Sequence, residues 1–125
     1  MAGSKNVLLI EDEPALRELY KSALMQGGYT VETSGNAEEA YAKLARFIPE
    51  YICLDVMLPG KSGLEILRDL RSNPALNAVD SKILILTNLA QRSVTDNAME
   101  HGADGYIIKA DILPIELPEI LAMLD

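Results

Sequence analysis

Five side chains that are able to handle a metal ion and a phosphoryl group stand at the ends of short apolar runs. Glu11 and Asp12 follow the first run, Asp55 ends the third, Thr87 follows the fourth and Lys109 follows the fifth. Three carboxylates in one place repel one another, and a divalent cation that prefers oxygen ligands relieves the repulsion. Mg²⁺ is the expected ion, because it binds through carboxylates, phosphate oxygens and water, and these residues offer no Cys or His ligand.

Asp55 is the candidate nucleophile of this set. It lies at the carboxyl end of Tyr51–Asp55, an apolar run bounded by prolines and typical of a buried strand. A carboxylate beside Mg²⁺ attacks a phosphoryl group and forms an aspartyl phosphate. Lys109 would then balance charge on the phosphoryl oxygens, and Thr87 would donate a hydrogen bond to one of them.

Each of these residues also has an ordinary explanation when it is taken alone. The two acids after the first run would complement the N-terminus of the helix that follows, and Lys109 would extend from a strand end into solvent. Thr87 is a common strand residue, and an isolated Asp55 would cap a turn. The shared placement at strand ends favours a common site.

Apolar runs alternate along the chain with patterns that are typical of helices. The runs predict strands at Asn6–Ile10, Tyr29–Thr33, Tyr51–Asp55, Lys82–Leu86 and Gly105–Ile108. The helix patterns begin at Pro14, after the N-cap residues Asn36 and Ser62, at Gln91 and near Pro114 and Pro118. This alternation predicts an α/β fold with a parallel sheet covered on both faces. The carboxyl ends of the strands then share one edge, which brings the five side chains together.

Two of the helices carry predictions about packing. The first has an apolar stripe that we expect to face the sheet. Its members are Leu16, Leu19, Tyr20, Ala23 and Leu24. The fourth helix, Gln91–His101, is poorly amphipathic, so we expect it to be the least firmly anchored. Its main apolar residues are Val94, Ala98 and Met99. For His101, a helix-end charge or a surface residue is a better explanation than a catalytic base.

Composition bounds the class of protein. At 125 residues the chain is expected to form a single domain, residues 1–125. Its 11 basic and 19 acidic residues give a net charge of −8, which argues against direct binding to nucleic acid or to an anionic membrane. No apolar run approaches the ~20 residues of a membrane span, so we expect a cytoplasmic protein. Cys53 has no disulfide partner and is expected to be a small buried hydrophobe.

Four motifs together resemble the receiver domain of two-component response regulators. They are Leu9-Ile10-Glu11-Asp12-Glu13, Leu54-Asp55-Val56-Met57-Leu58-Pro59-Gly60 with Gly63, Leu86-Thr87, and Gly102-Ala103-Asp104-Gly105-Tyr106 followed by Lys109. The resemblance runs from Val7 to about Leu124. It implies a flavodoxin-like, doubly wound, five-stranded parallel sheet in the strand order 2-1-3-4-5 with five helices.

The resemblance implies a phosphorylation-activated signalling switch, which is not an enzyme beyond catalysing its own phosphorylation and dephosphorylation. Asp55 would accept the phosphoryl group from a histidine kinase or a phosphotransfer protein. The cofactor Mg²⁺ would be held by Glu11, Asp12, Asp55 and the backbone carbonyl of Met57.

The output is also implied by the resemblance. Thr87 would move toward the phosphoryl group and Tyr106 would turn inward, which changes the face formed by the fourth helix, fifth strand and fifth helix. A downstream output domain or protein would receive this change. The chain would be a stand-alone receiver or the first domain of a longer regulator, and a homodimer through the fourth and fifth helices fits the family.

Three departures from the family pattern lead to further expectations. Receivers usually have a cis proline after the lysine, whereas this chain has Ala110, so we predict a trans Lys109–Ala110 bond. Asn88 replaces a small residue and would narrow access to Asp55 or add a polar contact. Met57 and Leu89 are apolar where the family modulates hydrolysis. They predict a long-lived phosphoryl group, lost more slowly than from a Met57→Asn variant.

Three alternative functions remain at this point. An aspartate-nucleophile phosphohydrolase would need a second Asp two residues after the nucleophile, where this chain has Met57. A flavodoxin-like cofactor binder would cradle a phosphate in its first loop, which the acidic Glu11-Asp12-Glu13 would repel. A receiver-like scaffold that works without phosphorylation is compatible with Asn88 and Ala110.

Overall fold

The computed structural model describes residues 5–88 and 91–125, and the strands of that part form one parallel sheet. The strands are β1 Asn6–Ile10, β2 Thr30–Ser34, β3 Tyr51–Asp55, β4 Lys82–Thr87 and β5 Gly105–Ile108. Their order across the sheet is β2-β1-β3-β4-β5, with every neighbouring pair parallel. The predicted fold class and strand order are therefore confirmed.

The helices of the described residues connect successive strands or follow the last one. They are α1 Pro14–Gln26, α2 Ala37–Leu44, α3 Gly63–Ser72, α4 Arg92–Glu100 and α5 Leu117–Ala122. The predicted N-caps are present, because the side chains of Asn36 and Ser62 accept hydrogen bonds from backbone N–H groups at the third helical position. A 3₁₀ turn at Pro114–Glu116 precedes α5, and Pro118 lies in its first turn, so the two prolines delimit the start of this helix.

Several predicted boundaries differ from the observed ones for local reasons. The strand predicted at Tyr29–Thr33 lies one residue later, because the Thr30 N–H donates to the Lys5 carbonyl and begins the ladder there. A 3₁₀ turn, Pro74–Leu76, follows α3. That turn is closed by Asn77, whose left-handed φ of 60° is one that asparagine tolerates.

Apolar cores cover the two faces of the sheet. The α2/α3/α4 core contains strand residues such as Leu8, Ile10, Ile52 and Leu54. The second, which we call the α1/α5 core, consists of Val7, Leu9, Tyr20, Leu24, Tyr51, Cys53, Leu84, Leu86, Ile107, Leu117 and Leu121. Because side chains alternate along a strand, Glu11, Asp55 and Lys109 continue the face of the α1/α5 core and cap its top. Cys53 is buried as predicted, and burial raises the pKa of its thiol to about 12.

The predicted packing of Leu19 against the sheet is wrong, and one of the apolar residues of α4 is also exposed. Leu19 of α1 is 55% exposed, although it belongs to the apolar stripe of that helix. Met99 of α4 is 44% exposed, and the buried positions of α4 are occupied instead by Thr95 and Ala98. For Leu19, the error arises because the apolar stripe of α1 is wider than the surface that the helix packs against.

The two ends of α4 are held differently. At its start, the N-cap residue Gln91 makes no side-chain capping bond. Beyond its end, Arg71 of α3 donates to the Gly102 carbonyl and to Asp104 Oδ2, both at 2.8 Å. Asp104 Oδ2 also accepts from the Ile83 N–H of β4 at 2.8 Å, which connects this arginine to the sheet. The carboxyl end of α4 is thus tied to α3 and β4.

A polar cluster occupies the amino-terminal edge of the sheet. Lys5 Nζ lies 3.0 Å from Asp125 Oδ2 and 3.1 Å from the Tyr51 hydroxyl, which itself donates to Asp125 Oδ1. This cluster connects the segment before β1 to the segment after α5. None of the described helices combines the length and the hydropathy that a membrane span requires.

Candidate functional site

Three carboxylates meet at the carboxyl edge of the sheet. Glu11 and Asp12 follow β1 and Asp55 ends β3, and one oxygen from each lies within 4.8 Å of the other two. Glu11 and Asp55 are 1% and 2% exposed, whereas Asp12 is exposed. Oxygen donors at this spacing, with one side open to water, fit a hard divalent cation that keeps part of its hydration shell.

Lys109 bridges the two buried carboxylates. Its Nζ lies 2.7 Å from Glu11 Oε1 and 2.8 Å from Asp55 Oδ2, and its side chain is 8% exposed. Burial acts to lower the pKa of the ammonium, but the hydrogen bonds to Asp55 and Glu11 outweigh burial, so the pKa lies above its ordinary value. Lys109 therefore remains a cation at the centre of the cluster.

Glu11 is the carboxyl group whose protonation is most perturbed. Burial and the neighbouring Asp55 raise its pKa, Lys109 opposes both, and the resulting pKa is about 7. A second oxygen, Glu11 Oε2, accepts from the Glu13 N–H at 3.2 Å. The position of the side chain is thus fixed, but burial destabilises its charged form. A metal ion bound to the carboxylate would offset this desolvation cost.

Asp55 is oriented by the turn that follows β3. Its Oδ1 accepts from the Met57 N–H at 3.0 Å, while Oδ2 contacts Lys109. The turn passes so close to Gly63 that a Cβ there would lie 2.1 Å from the Asp55 carbonyl oxygen. Gly63 also donates its N–H to the Val56 carbonyl at 2.9 Å. Only glycine fits this approach, which explains physically why Gly63 accompanies the Asp55 motif.

Two residues beside the site were not singled out from the sequence. Arg17 Nη1 donates to the Glu11 backbone carbonyl at 3.1 Å, which helps to fix the acidic turn. Tyr20 lies in the α1/α5 core directly under the cluster. The sequence offered only an apolar stripe for Tyr20, and it offered no signal for Arg17, because their proximity depends on how α1 packs against the sheet.

Thr87 lines a cavity next to the turn that follows Asp55. Thr87 ends β4, is 3% exposed, and borders a cavity of about 300 Å³. Its other lining residues are Val56, Met57, Asn88, Gln91 and Val94. The exposed Asn88 lines the same cavity as Met57 and Thr87. Its effect on access to Asp55 stays a prediction. Leu89, for which we predicted an effect on hydrolysis, lies outside the described residues.

Tyr106 is placed apart from the carboxylates. It is 46% exposed on β5 and borders a separate cavity of about 270 Å³. The other lining residues of that cavity are Arg92, Thr95, Asp96 and Ile108. Tyr106 is thus partly exposed on the side of β5 that faces α4.

Two further expectations concern the ends of β5 and α4. The described residues contain no cis peptide bond, so the Lys109–Ala110 bond is trans as predicted, and Lys109–Asp111 forms a 3₁₀ turn. His101 follows α4, and its Nδ1 donates to the Asn97 carbonyl at 2.8 Å. His101 therefore contacts the end of its own helix, away from the carboxylate cluster.

Comparisons with known proteins agree with this architecture. The model of the response regulator receiver domain matches residues 7–125. The transcriptional regulatory protein TrcR of Mycobacterium tuberculosis is 42% identical over 120 residues, which cover 94% of this chain and 43% of TrcR. The chain spans about half the length of the curated relatives that it matches.

Two solved structures are informative about the site. The receiver domain of the sensor histidine kinase PA1611 from Pseudomonas aeruginosa PAO1, with a magnesium ion coordinated in its active site cleft, is 27% identical with a TM-score of 0.83, and the match covers 98% of each chain. A response regulator protein from Burkholderia pseudomallei with a phosphorylated aspartic acid and a calcium ion is also 27% identical, with a TM-score of 0.75 over 96% of this chain and 72% of the other. Together with the parallel 2-1-3-4-5 sheet and the acidic cluster at its carboxyl edge, these matches show that the chain belongs to the response regulator receiver domain family.

Proposed function

We propose that this receiver domain is a phosphorylation-activated switch in which Asp55 accepts the phosphoryl group. The observation that carries the proposal is the convergence of Glu11, Asp12, Asp55 and Lys109 at one edge of the sheet. Asp55 is a nucleophile fixed by the Met57 N–H and by Lys109, and its β3 strand is buried along its whole length. The phosphorylated aspartic acid of the Burkholderia pseudomallei relative supports the same reaction here.

Mg²⁺ is the cofactor that fits the donor set. Glu11, Asp12, Asp55 and the backbone carbonyl of Met57 would hold the ion, and hard oxygen donors without Cys or His suit it. When bound, Mg²⁺ supplies electrostatic stabilisation of the phosphoryl oxygens. The magnesium ion in the Pseudomonas aeruginosa receiver domain supports this assignment.

The chain's own groups then account for the transfer step. An oxygen of Asp55 attacks the phosphorus of the donor's phosphohistidine, and the phosphorus–nitrogen bond breaks as the imidazole leaves with the bonding electron pair. The Lys109 ammonium, held 2.8 Å from Asp55, neutralises negative charge on the transferred group. The Thr87 hydroxyl donates a hydrogen bond to one of its oxygens. The domain thus catalyses its own modification and its own dephosphorylation, and it acts on no separate substrate.

The proposed output is a change of the face formed by α4, β5 and α5. Thr87 moves toward the phosphoryl group, and Tyr106, which is 46% exposed, turns inward toward the space that Thr87 leaves. Two features support a mobile α4: its start has no side-chain cap, and only Thr95 and Ala98 are buried along it. Switching elements are drawn from the least stable parts of a fold.

The proposed partners follow from the family. A histidine kinase or a phosphotransfer protein supplies the phosphoryl group, and an output domain or protein recognises the changed face. Residues 1–125 act as one receiver unit in this scheme. The relatives that match are about twice as long as this chain, and several are named as transcriptional regulators, which favours an output in transcription.

Intact-protein mass spectrometry tests the acceptor directly. The protein is incubated with Mg²⁺ and acetyl phosphate, a small phosphodonor, and we expect the mass of one phosphoryl group to be added. The addition disappears in Asp55→Asn and in EDTA, and it persists in Asp80→Asn, which changes an exposed acid elsewhere. No addition to the wild-type protein would overturn the proposal and favour the unphosphorylated scaffold. Addition to Asp55→Asn would place the acceptor elsewhere.

A further inference from the structure

Tyr20 is a buried aromatic residue to which neither the motifs nor the proposed reaction gives a role. It is 2% exposed and belongs to the α1/α5 core, together with Leu9 of β1, Cys53 of β3 and Ile107 of β5. The next residues on the same face of these three strands, toward the carboxyl edge, are the charged cluster of Glu11, Asp55 and Lys109. Tyr20 therefore lies in the layer on which that cluster rests.

The direction of the Tyr20 side chain follows from the path of the chain. Helix α1 begins at Pro14, four residues after β1 ends, so its N-terminus lies at the carboxyl edge of the sheet. Side chains on a helix tilt toward the N-terminus of that helix. The phenol of Tyr20 thus extends toward the charged cluster. Consistent with this, Lys109, Glu11 and Asp55 all influence the pKa of the phenol, which burial raises above its ordinary value.

The Tyr20 hydroxyl has no hydrogen-bond partner among the described residues. Ser34 Oγ and Asn97 Oδ1 are the side-chain polar atoms of that part of the chain that are both fully buried and unpartnered. The Tyr20 hydroxyl is not one of them, so the small exposed part of this residue includes its oxygen. A phenol that is buried except for its hydroxyl, under a charged cluster, is an unused hydrogen-bonding group within a nearly dry site.

Lys109 has one N–H donor without an acceptor among the described residues. An ammonium carries three N–H donors, and the contacts of Lys109 within the described residues use two of them, one on Glu11 and one on Asp55. The number of acceptors would fall when the site is loaded, because Glu11 and Asp55 would then share their oxygens with the metal ion. A buried ammonium that loses an acceptor must find another or lose stability.

We propose that the Tyr20 hydroxyl is a positioning group that accepts a hydrogen bond from the Lys109 ammonium when Glu11 and Asp55 are engaged. This inference rests on the proposed function, since it concerns the loaded site. Tyr20 holds the ammonium beside Asp55, so that one N–H remains directed at the incoming phosphoryl oxygens. It contacts neither the metal ion nor the phosphoryl group, and it acts only through Lys109.

The first test is Tyr20→Phe, which removes the hydroxyl and keeps the ring that fills the core. Tyr51→Phe is the matched control, because Tyr51 is 1% exposed in the same core but directs its hydroxyl to Lys5 and Asp125 at the opposite edge. With Mg²⁺ and acetyl phosphate, we expect Tyr20→Phe to be phosphorylated about fivefold more slowly than wild type, as for the loss of one hydrogen bond. Tyr51→Phe should retain the wild-type rate. Equal rates for Tyr20→Phe and Tyr51→Phe would overturn the proposal.

A double-mutant cycle separates positioning from simple packing. In a Lys109→Ala background, Tyr20→Phe should change the phosphorylation rate by less than about twofold, because the group through which it acts is absent. An undiminished fivefold effect in that background would show that Tyr20 acts through the core and would contradict the proposal. Melting temperatures of all variants confirm that each is folded under the assay conditions.

A readout without phosphorylation distinguishes failure of this inference from failure of the proposed function. The ¹⁵Nζ resonance of Lys109 is followed by NMR while Mg²⁺ alone is added. In wild type and Tyr51→Phe the ammonium should stay protected from rapid hydrogen exchange with water, and in Tyr20→Phe that protection should be lost. Identical exchange in all three would overturn the role of Tyr20, even if wild type is phosphorylated. A wild-type protein that takes up no phosphoryl group contradicts the proposed function instead.

Discussion

A lysine bridges two acceptors at each edge of the sheet, and the two clusters differ in burial much more than in distance. Lys109 lies 2.7 and 2.8 Å from its acceptors, and Lys5 lies 3.0 and 3.1 Å from its own. The side chains of Lys109, Glu11 and Asp55 are 8%, 1% and 3% exposed, whereas those of Lys5 and Asp125 are 49% and 48% exposed. Contact distance alone therefore does not distinguish the buried candidate site from a surface contact.

Water accounts for the difference between the clusters. Around Lys5, solvent solvates each charge when the pair opens, so the pair contributes little. Around Lys109, burial leaves each charge dependent on its protein partners, and the loss of one partner is costly. The same burial raises the pKa of Glu11 to about 7 and makes the site ready to accept a further cation. The charges at the carboxyl edge are thus poorly solvated and depend on one another, whereas those at the amino-terminal edge are solvated by water.

The largest expected effect is that of Lys109→Ala. At pH 8 in EDTA, removal of this cation leaves Glu11 and Asp55 buried without compensation, so the free energy of unfolding should fall by about 3–5 kcal/mol. Mg²⁺ should restore much of the loss, because it takes over the neutralising role. Urea denaturation followed by circular dichroism, with and without Mg²⁺, measures both the loss of stability and its restoration. A loss no greater than that of Lys5→Ala would remove the distinction between the clusters.

Glu11→Gln should have a smaller effect of opposite sign. The pKa of Glu11 is about 7 in the folded protein and near its ordinary 4.5 when unfolded, so the folded state binds the extra proton between these values. The contribution of Glu11 to stability therefore decreases as pH rises from about 4.5 to about 7 and is constant above that. In EDTA at pH 8, Glu11→Gln should be more stable than wild type by about 1–2 kcal/mol.

The pH dependence provides the check on this prediction. Unfolding midpoints in urea between pH 5 and pH 8 should decrease less steeply for Glu11→Gln than for wild type. Glu13→Gln, at a neighbouring exposed carboxyl, should follow the wild-type curve. Parallel curves for Glu11→Gln and wild type would show that burial does not raise the pKa of Glu11.

Lys5→Ala should have the smallest effect. Its side chain is half exposed, and water replaces the contacts to Asp125 and Tyr51. We expect a urea midpoint close to that of wild type, with any difference disappearing in high salt because ions screen exposed charges. A salt-independent loss comparable to that of Lys109→Ala would mean that the exposed cluster is a structural requirement of the fold.

The sequence allowed the members of the site to be predicted wherever their position along a strand decides which side chains meet. Glu11, Asp55 and Lys109 could be grouped because each follows an apolar run, and parallel strands place such residues on one edge. The N-caps at Asn36 and Ser62 could also be predicted, because each depends on residues only three positions apart. The order of the strands came from the family resemblance, since alternation of elements indicates only the class.

The remaining features depend on packing that a linear pattern does not contain. Leu19 and Tyr20 are neighbours in one apolar stripe, yet Leu19 is 55% exposed and Tyr20 is 2% exposed. The steric need for Gly63 depends on the backbone of β3 passing 2.1 Å from the position of a Cβ. The contact of Arg17 with the Glu11 carbonyl likewise requires the angle at which α1 crosses the sheet.

The tether that Arg71 forms beyond the end of α4 has a geometric consequence for signalling. Arg71 donates hydrogen bonds to the Gly102 carbonyl and to Asp104, whereas Gln91, the N-cap residue at the opposite end of α4, makes no side-chain capping bond. A helix that is held at one end rotates about that end, so the displacement of its residues increases toward the other end. If α4 moves in the proposed switch, a partner that binds it would therefore meet the largest change in its first turn, next to Thr87, and almost none near Gly102.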